Sequence, residues 1–197
     1  MAFSMHPTFP WTDLKGLLTL DKKKGLNPLF RLILTSDGTV TRLIEILTLH
    51  PVTVEMISHK RTPLEKEEAY FLELDPGKPA IERTVWLRVL NQRLVFATSF
   101  IPMEDLNQTV YDRLEESKKS LGTLISEFHF PVIRDKMSFC QVLCPEIAQA
   151  LEKPPLELFW ARRYRLKIEK VLQAFIIEVF SPHLETTPYP PNGSLLK

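Results

Sequence analysis

Two charged side chains fall where the pattern calls for hydrocarbon. From Val171 to Phe180 the chain is apolar on both faces, as a central strand is, and Glu178 shares one face with Leu172, Ala174, Ile176 and Phe180. Arg83 repeats the anomaly, because Ile81, Arg83, Val85, Leu87 and Val89 form one alternating face while Glu82, Thr84, Trp86 and Arg88 form the other. A buried carboxylate or guanidinium is costly unless it is hydrogen-bonded or counter-charged. Such a pair is therefore either an ion pair internal to a sheet or the two poles of a binding site, and spacing alone leaves both readings open. As a site, it has a definite chemistry. The planar fork of Arg83 can hold a carboxylate through two parallel hydrogen bonds, and Glu178 can accept a hydrogen bond or act as general base or acid.

Composition removes several other chemistries. Twenty-five basic and 24 acidic residues are interspersed to a net charge of +1, and Lys22-Lys23-Lys24, read as a solvated turn, is too short to track phosphates. No nucleic-acid partner is expected. The five histidines are scattered, and Cys140 and Cys144, on one face if helical, read as buried or inert thiols in a reduced compartment; we expect no metal. No run approaches the roughly 18 apolar residues of a membrane span, and the N-terminus has no charged segment before an apolar core. A soluble intracellular chain, cytoplasmic, without a membrane partner and monomeric, is expected.

The elements that must position Arg83 and Glu178 follow from periodicity and punctuation. Strands are expected at 51–57, 81–90, 94–101, 163–169 and 171–180, with Asn91-Gln92-Arg93 turning one hairpin and Glu169-Lys170 turning an outer strand into the central one. Asn27 to Thr35 forms a short helix or strand, and Thr39 or Asp37 caps a helix running to about Leu49. A polar linker leads through Tyr70 to Pro79. Met103 to Lys119 reads as a helix, Ser120 caps another running to about Phe128, and residues 129–158 read mostly as loop with one helix at Pro145 to Glu152. The expectation is one α+β domain over residues 1–197, with an antiparallel sheet of about six strands, an N-terminal arm over 1–25 packing one turn through Leu14, Leu17 and Leu18, and a flexible Pro-rich tail over 184–197.

The order of motifs resembles chorismate pyruvate-lyase, including the type found in cyanobacteria and red-algal plastids. The resemblance covers about residues 30–182: Asp37-Gly38-Thr39-Val40-Thr41-Arg42, Val52 to Ile57, the Arg83 strand, Phe100-Ile101-Pro102, Ser120-Leu121-Gly122, Trp160 to Leu166, and Ile177-Glu178-Val179-Phe180-Ser181-Pro182. It implies one domain with a six-stranded antiparallel sheet, no cofactor, and conversion of chorismate to 4-hydroxybenzoate and pyruvate for quinone synthesis. It further implies that Arg83 and Glu178 contact the ligand by side chain, and that Val40 and Leu121, with Thr39 and Gly122 beside them, supply backbone amides. The chain departs from the bacterial relatives at Val40, where they carry methionine, and at Thr98-Ser99, where they carry a glycine-arginine pair.

Aromatisation of the ring drives this reaction, so the protein has to orient the side chain, exclude water and stabilise a departing oxygen. Helix starts at Val40 and Leu121 suit an anion through unpaired N–H groups. Arg162 and Arg163 read as exposed edge-strand residues or as supplementary charge near the site. Two competing readings stay open: a non-catalytic aromatic-acid-binding domain, as in the effector domains of one class of bacterial transcription regulators, and a relative acting on another enolpyruvyl substrate. The first 30 residues are short for a winged helix-turn-helix. The site expected is one cavity sized for a single aromatic ring, faced by both charges.

Overall fold

Alternating segments pair into one sheet whose two faces are both covered. The computed structural model describes residues 3–104, 106–116, 120–126, 131–168 and 171–186. In chain order these form β1 (His6–Pro7), α1 (Leu14–Lys24), α2 (Pro28–Thr35), α3 (Val40–Thr48), β2 (Val52–Pro63), α4 (Lys66–Leu72), β3 (Pro79–Val89), β4 (Gln92–Pro102), α5 (Gln108–Glu116), α6 (Leu121–Ser126), β5 (Ile133–Leu143), α7 (Pro145–Ala150), β6 (Leu158–Ile168), β7 (Leu172–Phe180) and α8 (His183–Thr186). The strands are ordered β1-β5-β6-β7-β4-β3-β2, every neighbouring pair antiparallel. The α+β architecture is as expected, with six long strands and the two-residue β1 extending the β5 edge.

One face carries the odd residues of β3 and β4 and the even residues of β6 and β7. At one end of it Phe30, Ile33 and Leu34 of α2 and Val40 and Ile44 of α3 pack on Val85, Leu87, Val95 and Phe180. At the other end Val110 and Leu114 of α5 and Leu121, Leu124 and Ile125 of α6 pack on Ile81, Ile101, Leu166 and Ile176. The reverse face is closed by α7 against Trp86, Phe96 and Val179, and by α4 against Ala80 and Phe175. The seam between the first two clusters is where the charged residues lie.

Local signals account for the helices on that face. Asn27 caps α2, its side chain accepting from the Leu29 N–H at 2.9 Å, and Pro28 takes the first position, where a missing N–H costs nothing. Ser120 caps α6 through the Thr123 N–H at 3.0 Å.

Several expectations are corrected. Residues 129–158 are not mostly loop, for Ile133–Leu143 is a strand. Its register slips between Asp135 and Ser138, an extra residue inverts the alternation, and period-two reading fails. With β5 in place β6 is an interior strand, not an outer one. The strand begun at Val52 likewise continues past a bulge between Met56 and Ser58 to Pro63, and the supposed linker after it contains α4. Lys22–Lys24 close α1 rather than forming a turn; only Leu17 of the three arm leucines is in the core, with Leu14 and Leu18 exposed. Cys140 lies on β5 and Cys144 precedes α7, so the two share no helix, and both are buried free thiols. Residues 183–186 are helical; the rest of the expected tail, the Glu169-Lys170 turn and the ends of the helices expected to reach Lys119 and Phe128 lie outside the described residues.

Ile44 has no exposed surface and seats α3 on the sheet. Ile44→Ala is expected to cost about 2–5 kcal/mol, read from the urea unfolding midpoint, and a cost below about 1 kcal/mol would contradict that seating.

Candidate functional site

Strand register brings the two anomalous charges to one place. Glu178 on β7 lies opposite Ala97 on β4, Ala97 lies opposite Val85 on β3, and one pleat further along Ile176 lies opposite Ser99, which faces Arg83. Arg83 is 2% exposed and Glu178 5%. Both line one cavity, together with Thr39, Val40, Ser120, Leu121, Gly122, Ser99, Arg134 and Tyr164. Every residue expected to bind or react is therefore on its wall. Burial pulls the Arg83 guanidinium down to about 10, still cationic at neutral pH.

Arg83 and Glu178 are not each other's ion-pair partner. Arg162 takes that role, its Nε donating to Glu178 Oε2 at 2.5 Å. Far from being exposed on an edge strand, Arg162 has no exposed surface and sits directly opposite Glu178 across β6 and β7. Its Nη1 donates to the carbonyls of Ile33, Leu34 and Ser36 at 3.2, 3.2 and 2.8 Å, so one guanidinium joins the carboxylate to the C-terminal end of α2. Carbonyl oxygens at a helix C-terminus carry partial negative charge and favour a cation. Burial opposes the charge on Arg162, but Glu178 and Tyr164 more than offset it and hold the guanidinium above its ordinary value. Arg163 points to the reverse face, between the rings of Trp11 at 4.4 Å and Phe71 at 4.6 Å, and pairs with Glu67. It has no part in the cavity.

The remaining Glu178 oxygen, Oε1, accepts from the Tyr164 hydroxyl at 3.4 Å. Desolvation raises the Tyr164 hydroxyl well above the ordinary phenol range, and Glu178 raises it further, so it is a neutral donor. The Arg134 guanidinium lies beside the same hydroxyl. Glu178, Tyr164 and Arg134 thus form a chain of polar groups along one wall, with Arg162 joined to it through Glu178.

The opposite wall is the meeting of two helix starts. Thr39 is the N-cap of α3 but makes no side-chain capping bond, and Val40 is its first residue. Leu121 begins α6. First-turn N–H groups have no partner within their own helix, so both supply donors at the wall. Gly122 allows the two starts to touch: a Cβ there would stand 2.6 Å from Thr39 Cγ2. The Thr41 and Ser120 hydroxyls close the contact with a buried hydrogen bond of 3.0 Å. Outside this latch Thr41, Glu45, Val52, Ser120 and Thr123 line an open depression. Inside it the cavity measures about 50 Å³. That is room for water and less than the roughly 150 Å³ that holds a benzene ring, which corrects the expectation of a ring-sized space. A ring enters only if the walls part.

The sequence reading missed Arg162, Tyr164 and Arg134 as wall or network residues. The first two carried the same signal as Arg83, because Trp160, Arg162, Tyr164, Leu166 and Ile168 share one apolar face. Arg134 was hidden by the β5 bulge. Among the described residues no group of three or more His, Cys, Asp or Glu side chains could hold a metal, and no helix is long and apolar enough to cross a membrane.

A family model described as chorismate pyruvate-lyase Rv2949c-like matches residues 34–187. No curated protein matches the sequence. Among solved structures, the chain is similar to the effector domain of PhnF from Mycobacterium smegmatis, at 14% identity and a TM-score of 0.55, covering 73% of this chain and 88% of that one. It is also similar to the ligand-binding domain of a protein assigned to the GntR family of transcriptional regulators from Bordetella bronchiseptica, at 19% identity and a TM-score of 0.55, covering 66% and 84%. A GntR-family transcriptional regulator from Bacillus cereus follows at 9% identity and a TM-score of 0.51, covering 67% and 92%. At such identities these three establish a shared fold.

Arg162→Met leaves the Glu178 carboxylate buried beside no counter-charge and is expected to cost about 3–5 kcal/mol in denaturant unfolding. Adding Glu178→Leu removes the stranded charge, so the double variant should be more stable than Arg162→Met alone. Simple additivity of the two losses would contradict the pairing.

Proposed function

The chain belongs to the Rv2949c-like chorismate pyruvate-lyase family, and we propose that it binds chorismate in the cavity at the seam and releases 4-hydroxybenzoate and pyruvate. The observation that carries this reading is that Arg83 and Glu178, each buried on an apolar sheet face, line the same cavity as the first residues of α3 and α6. One pole suits a carboxylate and the other a hydroxyl, and 4-hydroxybenzoate bears those groups at opposite ends of one ring.

On this reading Arg83 and the amides of Val40 and Leu121 hold the ring carboxylate. Glu178 accepts a hydrogen bond from the 4-hydroxyl through the oxygen that Arg162 leaves uncovered. The C4–H bond then breaks, its electron pair becomes a ring π bond, and the C3–O bond breaks with its pair passing to the enolpyruvyl oxygen. The hydrogen lost from C4 ends on the enolpyruvyl methylene, so pyruvate leaves with a methyl group and the atoms balance. Aromatisation supplies the driving force, and the walls supply orientation, water exclusion and charge stabilisation without a cofactor. Fixed in its pair with Arg162, Glu178 serves to orient the ring. Val40 in place of methionine is a mild change for an amide contact, whereas Ser99, whose hydroxyl donates to the Arg83 carbonyl at 3.3 Å, stands where bacterial relatives place an arginine at the cavity. The product supplies the ring of a quinone, as in the cyanobacterial and red-algal plastid relatives that the motif order resembles, and a monomer suffices.

A second reading is favoured by the fold shared with regulator effector domains: an aromatic acid is bound without turnover. Incubation with chorismate separates the two. A lyase yields equimolar pyruvate and 4-hydroxybenzoate; a binder shifts only its melting temperature.

Arg83→Ala and Glu178→Ala are each expected to lower turnover at least about tenfold while the chain stays folded, with Glu178→Gln as the milder control should Glu178→Ala unfold. An unaltered rate in either folded variant removes that residue from the site.

A further inference from the structure

Chorismate carries two carboxylates, one on the ring and one on the enolpyruvyl group, and the proposed function uses only one cation of the wall. A second carboxylate taken out of water beside hydrocarbon needs its own counter-charge. We propose that Arg134 is the residue that binds the enolpyruvyl carboxylate and so selects a dianionic substrate over a monoanionic aromatic acid; this rests on the reading of the cavity as a chorismate site.

Placement singles out Arg134. It lines the cavity from β5, the far side of the sheet order from Arg83 on β3, with β6, β7 and β4 between them. Its backbone pairs with Leu166, which puts it on the cavity face, and the bulge between Asp135 and Ser138 allows this. Beyond that bulge the odd residue Phe139 pairs with Arg162 on the same face, so the extra residue lets Arg134 and Phe139 both point inward. Asp135 on the opposite face is held by Arg165 at 2.8 and 2.7 Å, which fixes the strand immediately after Arg134. The Arg134 Nε is buried with no hydrogen-bond partner.

Arg162 does not line the cavity: its Nε is held by Glu178 and its Nη1 by three carbonyls, and only its buried Nη2 lacks a hydrogen-bond partner among the described residues. Arg134 instead lies beside the Tyr164 hydroxyl, which is 3.4 Å from Glu178 Oε1. On the ring, C3 is next to C4. A substituent on C3 therefore extends from beside the hydroxyl that Glu178 accepts, toward Tyr164 and Arg134. The ring carboxylate, para to that hydroxyl, remains with Arg83. The spatial order Arg83, Glu178, Tyr164, Arg134 reproduces the order of ring carboxylate, 4-hydroxyl and enolpyruvyl carboxylate along the substrate.

The test uses the full chain, with Arg134→Gln and Arg134→Lys. Two ligands are compared: chorismate, through KM and kcat where it is turned over and Kd where it is only bound, and 4-hydroxybenzoate through its Kd. For Arg134→Gln we expect chorismate to weaken about tenfold or more, mainly in KM or Kd, while 4-hydroxybenzoate stays within about twofold of the wild type. Arg134→Lys should recover part of the loss, since it keeps the charge without the fork. Unchanged chorismate binding in Arg134→Gln, or equal weakening of both ligands, overturns the assignment while leaving the chorismate reading intact. A wild-type chain that neither binds nor converts chorismate overturns both together.

Discussion

The hydrogen-bonded ion pair between Arg162 and Glu178 is the interaction on which the site depends, because it supplies the counter-charge that a carboxylate on an apolar sheet face needs. Removing two charges from water carries a penalty of several kcal/mol per ion, which their attraction repays only with good geometry and with the remaining donors satisfied. Here the geometry is set by direct cross-strand pairing, and three carbonyls at the end of α2 take up Arg162 Nη1, which leaves Nη2 as the one buried nitrogen of this guanidinium without a hydrogen-bond partner among the described residues. The same guanidinium therefore fixes Glu178 from below and the segment leading to Thr39 from the side. A purely structural ion pair would need no cavity in front of its carboxylate, and Glu178 lines one.

From that anchor the rest of the cavity follows. The segment after α2 delivers the start of α3, and the start of α6 is brought against it because Gly122 has no Cβ to hold Thr39 away. Contact between the two helix starts and the hydroxyl bond of Thr41 to Ser120 leave about 50 Å³ inside. The closed state protects buried charges from water, and it also makes ligand entry a matter of separating two helix starts whose joint is one hydrogen bond and a few van der Waals contacts. A net hydrogen bond is worth only about 1 kcal/mol, so opening is energetically accessible, whereas breaking Arg162 from Glu178 is not. On these costs, separation of the α3 and α6 starts is easier than any break in the sheet's ion pair.

What the sequence disclosed was decided by where period two holds. β3, β4 and β7 alternate without interruption over the residues that matter, and so Arg83 and Glu178 could be assigned to their face before any coordinates. Thr39, offered beside Asp37, and Ser120 marked two of the helix starts. The partner of Glu178 was lost through register. A two-residue turn at Glu169-Lys170 pairs Arg162 with Ile177, whereas the three-residue connection between β6 and β7 pairs it with Glu178. One residue of slip moves a side chain to the other face. β5 and the second half of β2 were lost for a related reason, since a bulge inverts the alternation partway along each. The size of the cavity is a property of how helix starts meet, and no local pattern encodes it.

The most direct measurement is a crystal structure with 4-hydroxybenzoate soaked in. The account predicts the ring in the seam, its carboxylate on Arg83 and the first-turn amides of Val40 and Leu121, its hydroxyl on Glu178, and the Thr41 to Ser120 bond broken with the two helix starts apart. A ring bound elsewhere, or seated with its hydroxyl toward Arg83 and its carboxylate toward Glu178, would contradict it.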